Sequence, residues 1–189
     1  MSASVAVGRG PSIAHDRVLL GVAVFIASES VFFLAIVLAY LAYRDAGLAT
    51  ARANLDIPRT AIFSIALFSS SATMALAARH GSRSWLVATI ALGAVFLAGQ
   101  GSEYARLLAS GIGPGRELFG TTFFTLTGFH GAHVTVGILM LLSLFGMSLD
   151  GRLPAERSET VELVGLYWHF VDIVWIIIFT VVYLIPTGK

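Results

Sequence analysis

The chain of 189 residues contains no cysteine. That excludes disulfides, thiolate metal sites and thiol nucleophiles, and it leaves the redox compartment undetermined. Charge is scarce as well: Asp, Glu, Lys and Arg make up 12% of the sequence, and the formal net charge is +1. So small an imbalance argues neither for a nucleic-acid partner nor for strong attraction to an acidic substrate. There is no internal repeat of the kind that builds transporters from duplicated halves, and no low-complexity segment. No Gly-rich phosphate loop or Ser/His/Asp arrangement is evident, so no catalytic residue is assigned. The stretch from Met1 to Arg17 is short and polar, and the apolar run after it is too long, and too polar in its middle, for a signal-peptide core. No cleavage is expected.

What is abundant is apolar: 57% of residues are hydrophobic, and the mean hydropathy is +0.84. A water-facing globular surface could not absorb that balance, so the bilayer is the expected solvent. A hydrocarbon core about 30 Å thick needs roughly 20 mostly apolar residues per helix. Five such runs occur, at Val18 to Tyr43, Pro58 to Ala78, Trp85 to Leu107, Phe119 to Met147 and Val161 to Ile185. The expected fold class is therefore all-α, a polytopic membrane protein with a bundle of five transmembrane helices. At about 23 residues each the spans occupy roughly 115 positions, which leaves no room for a separate soluble domain and predicts a single membrane domain over residues 1–189.

Pro58 sits where the second span begins, a position at which its missing N–H costs nothing, and Arg79-His80-Gly81-Ser82-Arg83 closes that span with a tight turn. Spans two and three should form an antiparallel hairpin. The third loop, Ser110 to Gly115, is Gly-rich, and the fourth, Leu149 to Thr160, carries most of the mixed charge. Counting Lys and Arg on the two sides gives six against six, so the positive-inside rule does not orient the chain. Small residues four apart, Ser69, Thr73 and Ala77 in the second span and Thr127, Gly131 and Thr135 in the fourth, would let helix backbones approach closely.

Ionisable groups at bilayer depth are costly and each invites an explanation. Glu29 is the deepest carboxyl, flanked by apolar residues for more than two turns on either side. It is a candidate for proton movement or lipid-headgroup binding, set against a neutral acid hydrogen-bonded to a neighbouring helix with help from Ser28 or Ser30. His130 and His133, three apart, point to similar sides of the fourth span, and Glu162, His169 and Asp172 share a face of the fifth. Facing imidazoles and carboxylates can bind a metal in helical bundles, but these patterns lack a Glu-x-x-His companion on each helix and any thiolate. An interhelical hydrogen-bond network is the favoured reading and no metal site is assigned. Glu103 and Tyr104, beside Arg106 at the end of the third span, and Trp168 and Trp175, on either side of Asp172, are expected to be interfacial anchors, with Tyr183 a further interface residue.

Three segments carry the reading further: Phe25-Ile26-Ala27-Ser28-Glu29 with Phe32-Phe33; Glu103-Tyr104, followed by Phe119-Gly120-Thr121-Thr122-Phe123-Phe124 and Leu126 through Val134; and Gly165-Leu166-Tyr167-Trp168-His169-Phe170-Val171-Asp172 through Ile176. In this order they resemble cytochrome c oxidase subunit III of the haem-copper oxidase family, in a short five-helix bacterial form of a family whose long form has seven helices. The lipid-filled cleft made by the first two helices of the long form should then be absent, or made by another subunit. The resemblance implies a non-catalytic subunit of a proton-pumping oxidase, in the bacterial cytoplasmic (inner) membrane with its N-terminus cytoplasmic and its C-terminus periplasmic. It implies no cofactor bound by this chain, haem and copper in the partner subunits, and room for a bound phospholipid. The partners it implies are the catalytic subunit I, subunit II, further small subunits and membrane lipids, with no nucleic acid. Glu29 matches the buried glutamate of the family, whose implied role is structural, lipid-related or supportive of proton uptake.

Other readings stay open at this point. One is subunit III of a quinol oxidase, although Glu103-Tyr104 and Thr127-Gly128-Phe129-His130 look more like the cytochrome c branch. Another is a homologue accompanying nitric oxide reductase. A third, of a different class, is an independent small transporter or proton channel with Glu29, His130, His133, His169 and Asp172 along its path.

Overall fold

A computed structural model describes residues 13–150 and 159–185. The charged part of the fourth loop that carries Arg152 and Arg157 lies outside them. Five α-helices follow one another: α1 (Ile13–Asn54), α2 (Ile57–His80), α3 (Arg83–Ala109), α4 (Leu118–Leu149) and α5 (Glu159–Phe179). The last runs on into a π-helical turn over Thr180–Leu184. Each helix holds a stretch long and apolar enough to cross a membrane, and no strand occurs among the described residues.

Helices α2 to α5 form a ring in which each contacts the next and α5 closes back onto α2; α1 lies outside the ring, against α4 and α5. The buried positions explain the ring. In α2 they are Thr60, Ser64, Leu67, Ser70, Met74 and Ala77, and in α4 they include Phe123, Thr127, His130, Val134, Gly137, Leu141 and Leu144. Steps of three and four residues trace one face of a helix turning every 3.6 residues. The outward positions are largely apolar as well, with Ile62 and Ile65 on α2, Leu139 on α4 and Ile173 on α5 exposed. Apolar side chains on both faces of a helix are what a lipid solvent requires.

The turn chemistry of the α2–α3 hairpin is as the sequence reading predicts. Asp56 Oδ1 accepts the Arg59 backbone N–H at 3.2 Å, with Pro58 in the first turn, and Gly81 ends α2 in a left-handed conformation, φ 61°, its N–H bonded to the Ala77 carbonyl. The first span, Arg17–Asp45, agrees with the expected Val18 to Tyr43, and the helix that holds it continues to Asn54, 42 residues in all. Residues 44–54 are Ala-rich and Pro-free, so nothing ends the helix before Asp56-Ile57-Pro58, and Ala51, 2% exposed, is buried in the extra turns. Of the stripe expected in α2, Ala77 is buried, Thr73 is half-buried and bonded to Thr89 of α3, and Ser69 is exposed; Ser64 and Ser70 are further buried small residues.

Candidate functional site

Trp168 of α5 stands at the centre of the ring, 1% exposed. Its indole lies where a Cβ on Gly93 of α3 or on Gly137 of α4 would come within 2.8 Å of ring carbons. Two glycines thus form the slot, and the indole N–H donates to Ser70 Oγ of α2 at 2.9 Å. Seven residues on, Trp175 repeats the arrangement, donating to Ser64 Oγ at 2.8 Å while its ring stacks on His130 at 4.8 Å. The expectation that these tryptophans anchor the chain at a membrane surface is corrected: both are core residues, because each N–H finds a serine on a facing helix and the interior is the one place where the whole ring is covered.

Glu103 is corrected likewise. It is 4% exposed, and its Oε2 accepts the Tyr183 hydroxyl at 2.7 Å and the Thr60 hydroxyl at 3.2 Å. Arg106 lies 3.5 Å from its other oxygen and also donates to the Asn54 carbonyl at 2.8 Å. One carboxylate thereby ties α2, α3 and the π-helical turn after α5, and through Arg106 the end of α1. Tyr183 is itself buried rather than interfacial. Tyr104 is half-buried and turned toward α4: its hydroxyl meets Thr127 Oγ1 at 2.7 Å, and Gln100 Nε2 donates to it at 3.1 Å and to the Thr127 carbonyl at 2.6 Å.

The histidines do not gather. His130 and His133, although three residues apart, flank a ridge of α4 and face different neighbours. His130 points inward, fully buried between Trp175 and Phe96. His133 points to α1, its Nε2 3.0 Å from Glu29 Oε2 and its Nδ1 2.7 Å from the Phe129 carbonyl. A carbonyl can only accept, so Nδ1 donates. The bridge to Glu29 then holds one proton, whether as acid and imidazole or as carboxylate and imidazolium, and the pair is neutral either way. Ser28 and Ser30 give Glu29 no help; they bond the Phe25 and Ile26 carbonyls of their own helix.

His169 and Asp172 face α2, not the histidines of α4. Ser71 lies between them, its Oγ 2.9 Å from His169 Nδ1 and in a short hydrogen bond to Asp172 Oδ2. Glu162 is exposed near the start of α5, away from both. Among the described residues no three His, Asp or Glu side chains are placed to share a metal ion. The residues that sequence reasoning missed are the partners: Thr60, Ser64, Ser70, Ser71, Gly93 and Gly137. The available signal was the recurrence of hydroxyls at 60, 64 and 70–71 along one apolar helix, read together with two tryptophans seven apart.

A five-span bundle whose buried polar groups are mostly spent on ties among its own helices defines the class: a polytopic membrane protein. The sequence pattern of one family, cytochrome c oxidase subunit III, matches residues 52–186, and the chain belongs to that family. It is 41% identical to cytochrome c oxidase subunit 3 of Synechocystis sp. over 184 residues, 90% of this chain and 76% of the relative. It is 35% identical to cytochrome bo(3) ubiquinol oxidase subunit 3 of Pseudomonas aeruginosa, covering 94% of this chain and 91% of the relative. Cytochrome c oxidase subunit 3 of Corynebacterium diphtheriae is 36% identical, covering 90% and 89%. The family pattern begins at Arg52, after the span that holds Glu29, so Glu29 rests on the pairwise similarities and on its bond to His133.

Proposed function

We propose that this chain is a supporting subunit of the oxidase, with no redox step of its own, and that it braces a catalytic subunit carrying haem and copper in a bacterial cytoplasmic membrane, with its N-terminus on the cytoplasmic side. The observation that carries this reading is the use of the chain's buried polar side chains. Glu103, Tyr183, Trp168, Trp175 and Asp172 each bond to a different helix of the same chain, which fixes helix register. Such bonds supply only about 0.6 kcal/mol each on average within membranes, so their effect is on shape more than on stability. Subunit II and further small subunits complete the assembly on this reading.

The Glu29–His133 pair supports proton uptake, on this reading, only by holding one proton beside α1. Phospholipid chains fill a furrow of ≈ 290 Å³ on the outer face of α4, lined by Phe124, Thr125, Gly128, Phe129 and Ala132. Cytochrome c is the proposed electron donor, and the similarity to the ubiquinol oxidase subunit favours quinol as the second reading. A mild-detergent pull-down of the tagged chain from native membranes tests the whole. Co-purified haem with cyanide-sensitive oxygen uptake is the expected result, and uptake with cytochrome c against quinol decides the donor. A colourless protein without partners, conducting protons alone in liposomes, would overturn the reading.

A further inference from the structure

One strip of α5 faces outward between α1 and α2, both of which contact α5. It runs along Glu162, Leu166, His169, Ile173, Ile176 and Ile177, in steps that keep to one side of the helix. Where α1 meets this strip there is an apolar groove of ≈ 290 Å³, bounded by Phe33, Leu34 and Val37 on one side and Ile173, Val174 and Ile177 on the other. His169 stands in the same valley on the α2 side.

Its ring is half satisfied. Ser71 donates its hydroxyl to Asp172, so the Ser71 oxygen accepts from His169 Nδ1–H, and Nε2 is left with its lone pair. That atom has no hydrogen-bond partner among the described residues, and it is not among the enclosed ones. His169 lies nine residues from Thr160 and 15 from Leu184, the ends of the span, which is roughly 13 Å from one end and 22 Å from the other at 1.5 Å per residue. Lipid offers hydrogen-bond donors at its headgroups and none at this depth, so a donor here has to come from polypeptide.

The outer face of α4 makes the contrast. Thr125, Thr135 and Ser143 are exposed there, and each hydroxyl is spent on a carbonyl of its own helix four residues back. That face asks nothing of a neighbour and suits lipid.

The geometry points to the α1–α5–α2 valley as the surface on which a transmembrane helix of the catalytic subunit docks, presenting a side-chain hydroxyl, amide or indole N–H to His169 Nε2. This rests on the supporting-subunit reading above and names the face that reading leaves open.

The test uses the tagged chain in native membranes, with a photo-cross-linking benzophenone amino acid at Ile173, at Ile177 or, for comparison, at Leu139 on the outer face of α4. Illumination is expected to join positions 173 and 177 to the haem-bearing subunit and to leave position 139 joined to lipid alone. His169→Phe is expected to lower the chain retained with the haem-bearing subunit after a detergent wash by about threefold to tenfold, while the isolated variant loses no more thermal stability than Ser71→Ala, which breaks the same bond to α2 and leaves the outward ring nitrogen in place. Cross-links from 139 but not from the valley, lipid adducts alone at 173 and 177, or undiminished retention of His169→Phe would each overturn the docking face while haem still co-purifies. Absence of any haem-bearing partner overturns the supporting-subunit reading itself, and the docking face with it.

Discussion

Two of the carboxyl groups within the membrane-spanning helices, Glu103 and Glu29, lie under different regimes. Glu103 is closed off: hydroxyls from Thr60 and Tyr183 meet one oxygen, and Arg106 stands by the other. Glu29, on the outermost helix α1 and with its side chain 22% exposed, has one hydrogen-bond partner among the described residues, His133 of α4. Glu103 joins elements that the chain must hold together. Glu29 joins the ring to a helix of which only 11% of the apolar window is buried, against 56% for α5. A buried carboxyl is therefore not one kind of site in this protein; what it does depends on how many helices it ties and how fully it is enclosed.

Perturbing the enclosed site should have the largest effect. Glu103→Leu leaves the buried Tyr183 and Thr60 hydroxyls facing an apolar side chain, and each buried group left unsatisfied costs about 1–3 kcal/mol; thermal unfolding in detergent should show it as a large fall in midpoint. The slot around Trp168 comes next. Gly137→Leu drives a branched side chain into a rigid indole, and overpacking of this sort costs about 1–3 kcal/mol, read as lowered yield and a lower midpoint. Glu29→Leu should be milder, about 0.6 kcal/mol for one membrane hydrogen bond, and Glu29→Gln, whose amide still donates to His133 Nε2, should recover it. Ser28→Ala should shift the midpoint by no more than about 0.5 kcal/mol. An equal fall for Glu29→Leu and Glu103→Leu would erase the distinction between the two carboxyls.

The helices and the family were legible because both are written in runs: apolar stretches of span length, and three motifs in order. Pro58 and Gly81 were legible as punctuation for a related reason, since each acts through its own backbone. Pairing was not. Glu103 read as a surface anchor because it stands near a span end, and Trp168 and Trp175 because Trp is enriched at membrane surfaces, and nothing along α3 or α5 says that Thr60, Ser64 and Ser70 of α2 will be rotated to meet them. Likewise, a spacing of three puts His130 and His133 on neighbouring lines of one helix, yet α4 has a helix on either side of that ridge, so a small angular difference sends the two rings to different partners. Helical periodicity reports which residues share a face and is silent about which helix the face meets.

The π-helical turn at Thr180–Leu184 closes with the Ile185 N–H on the Thr180 carbonyl, five residues back, and it acts as a phase correction. Trp168 and Trp175 are seven residues apart, close to two full turns, but Tyr183 lies eight beyond Trp175, which in a regular α-helix would swing it about 80° off their line. The wider turn absorbs the surplus residue, so three aromatic side chains point inward in register and the last of them reaches Glu103. Forcing that turn back into a regular α-helix with every residue kept would aim the tyrosine hydroxyl away from the carboxylate, whereas deleting the surplus residue would restore a spacing of seven and keep it in line. The length of α5 is thus set by an angle as much as by the thickness of the bilayer.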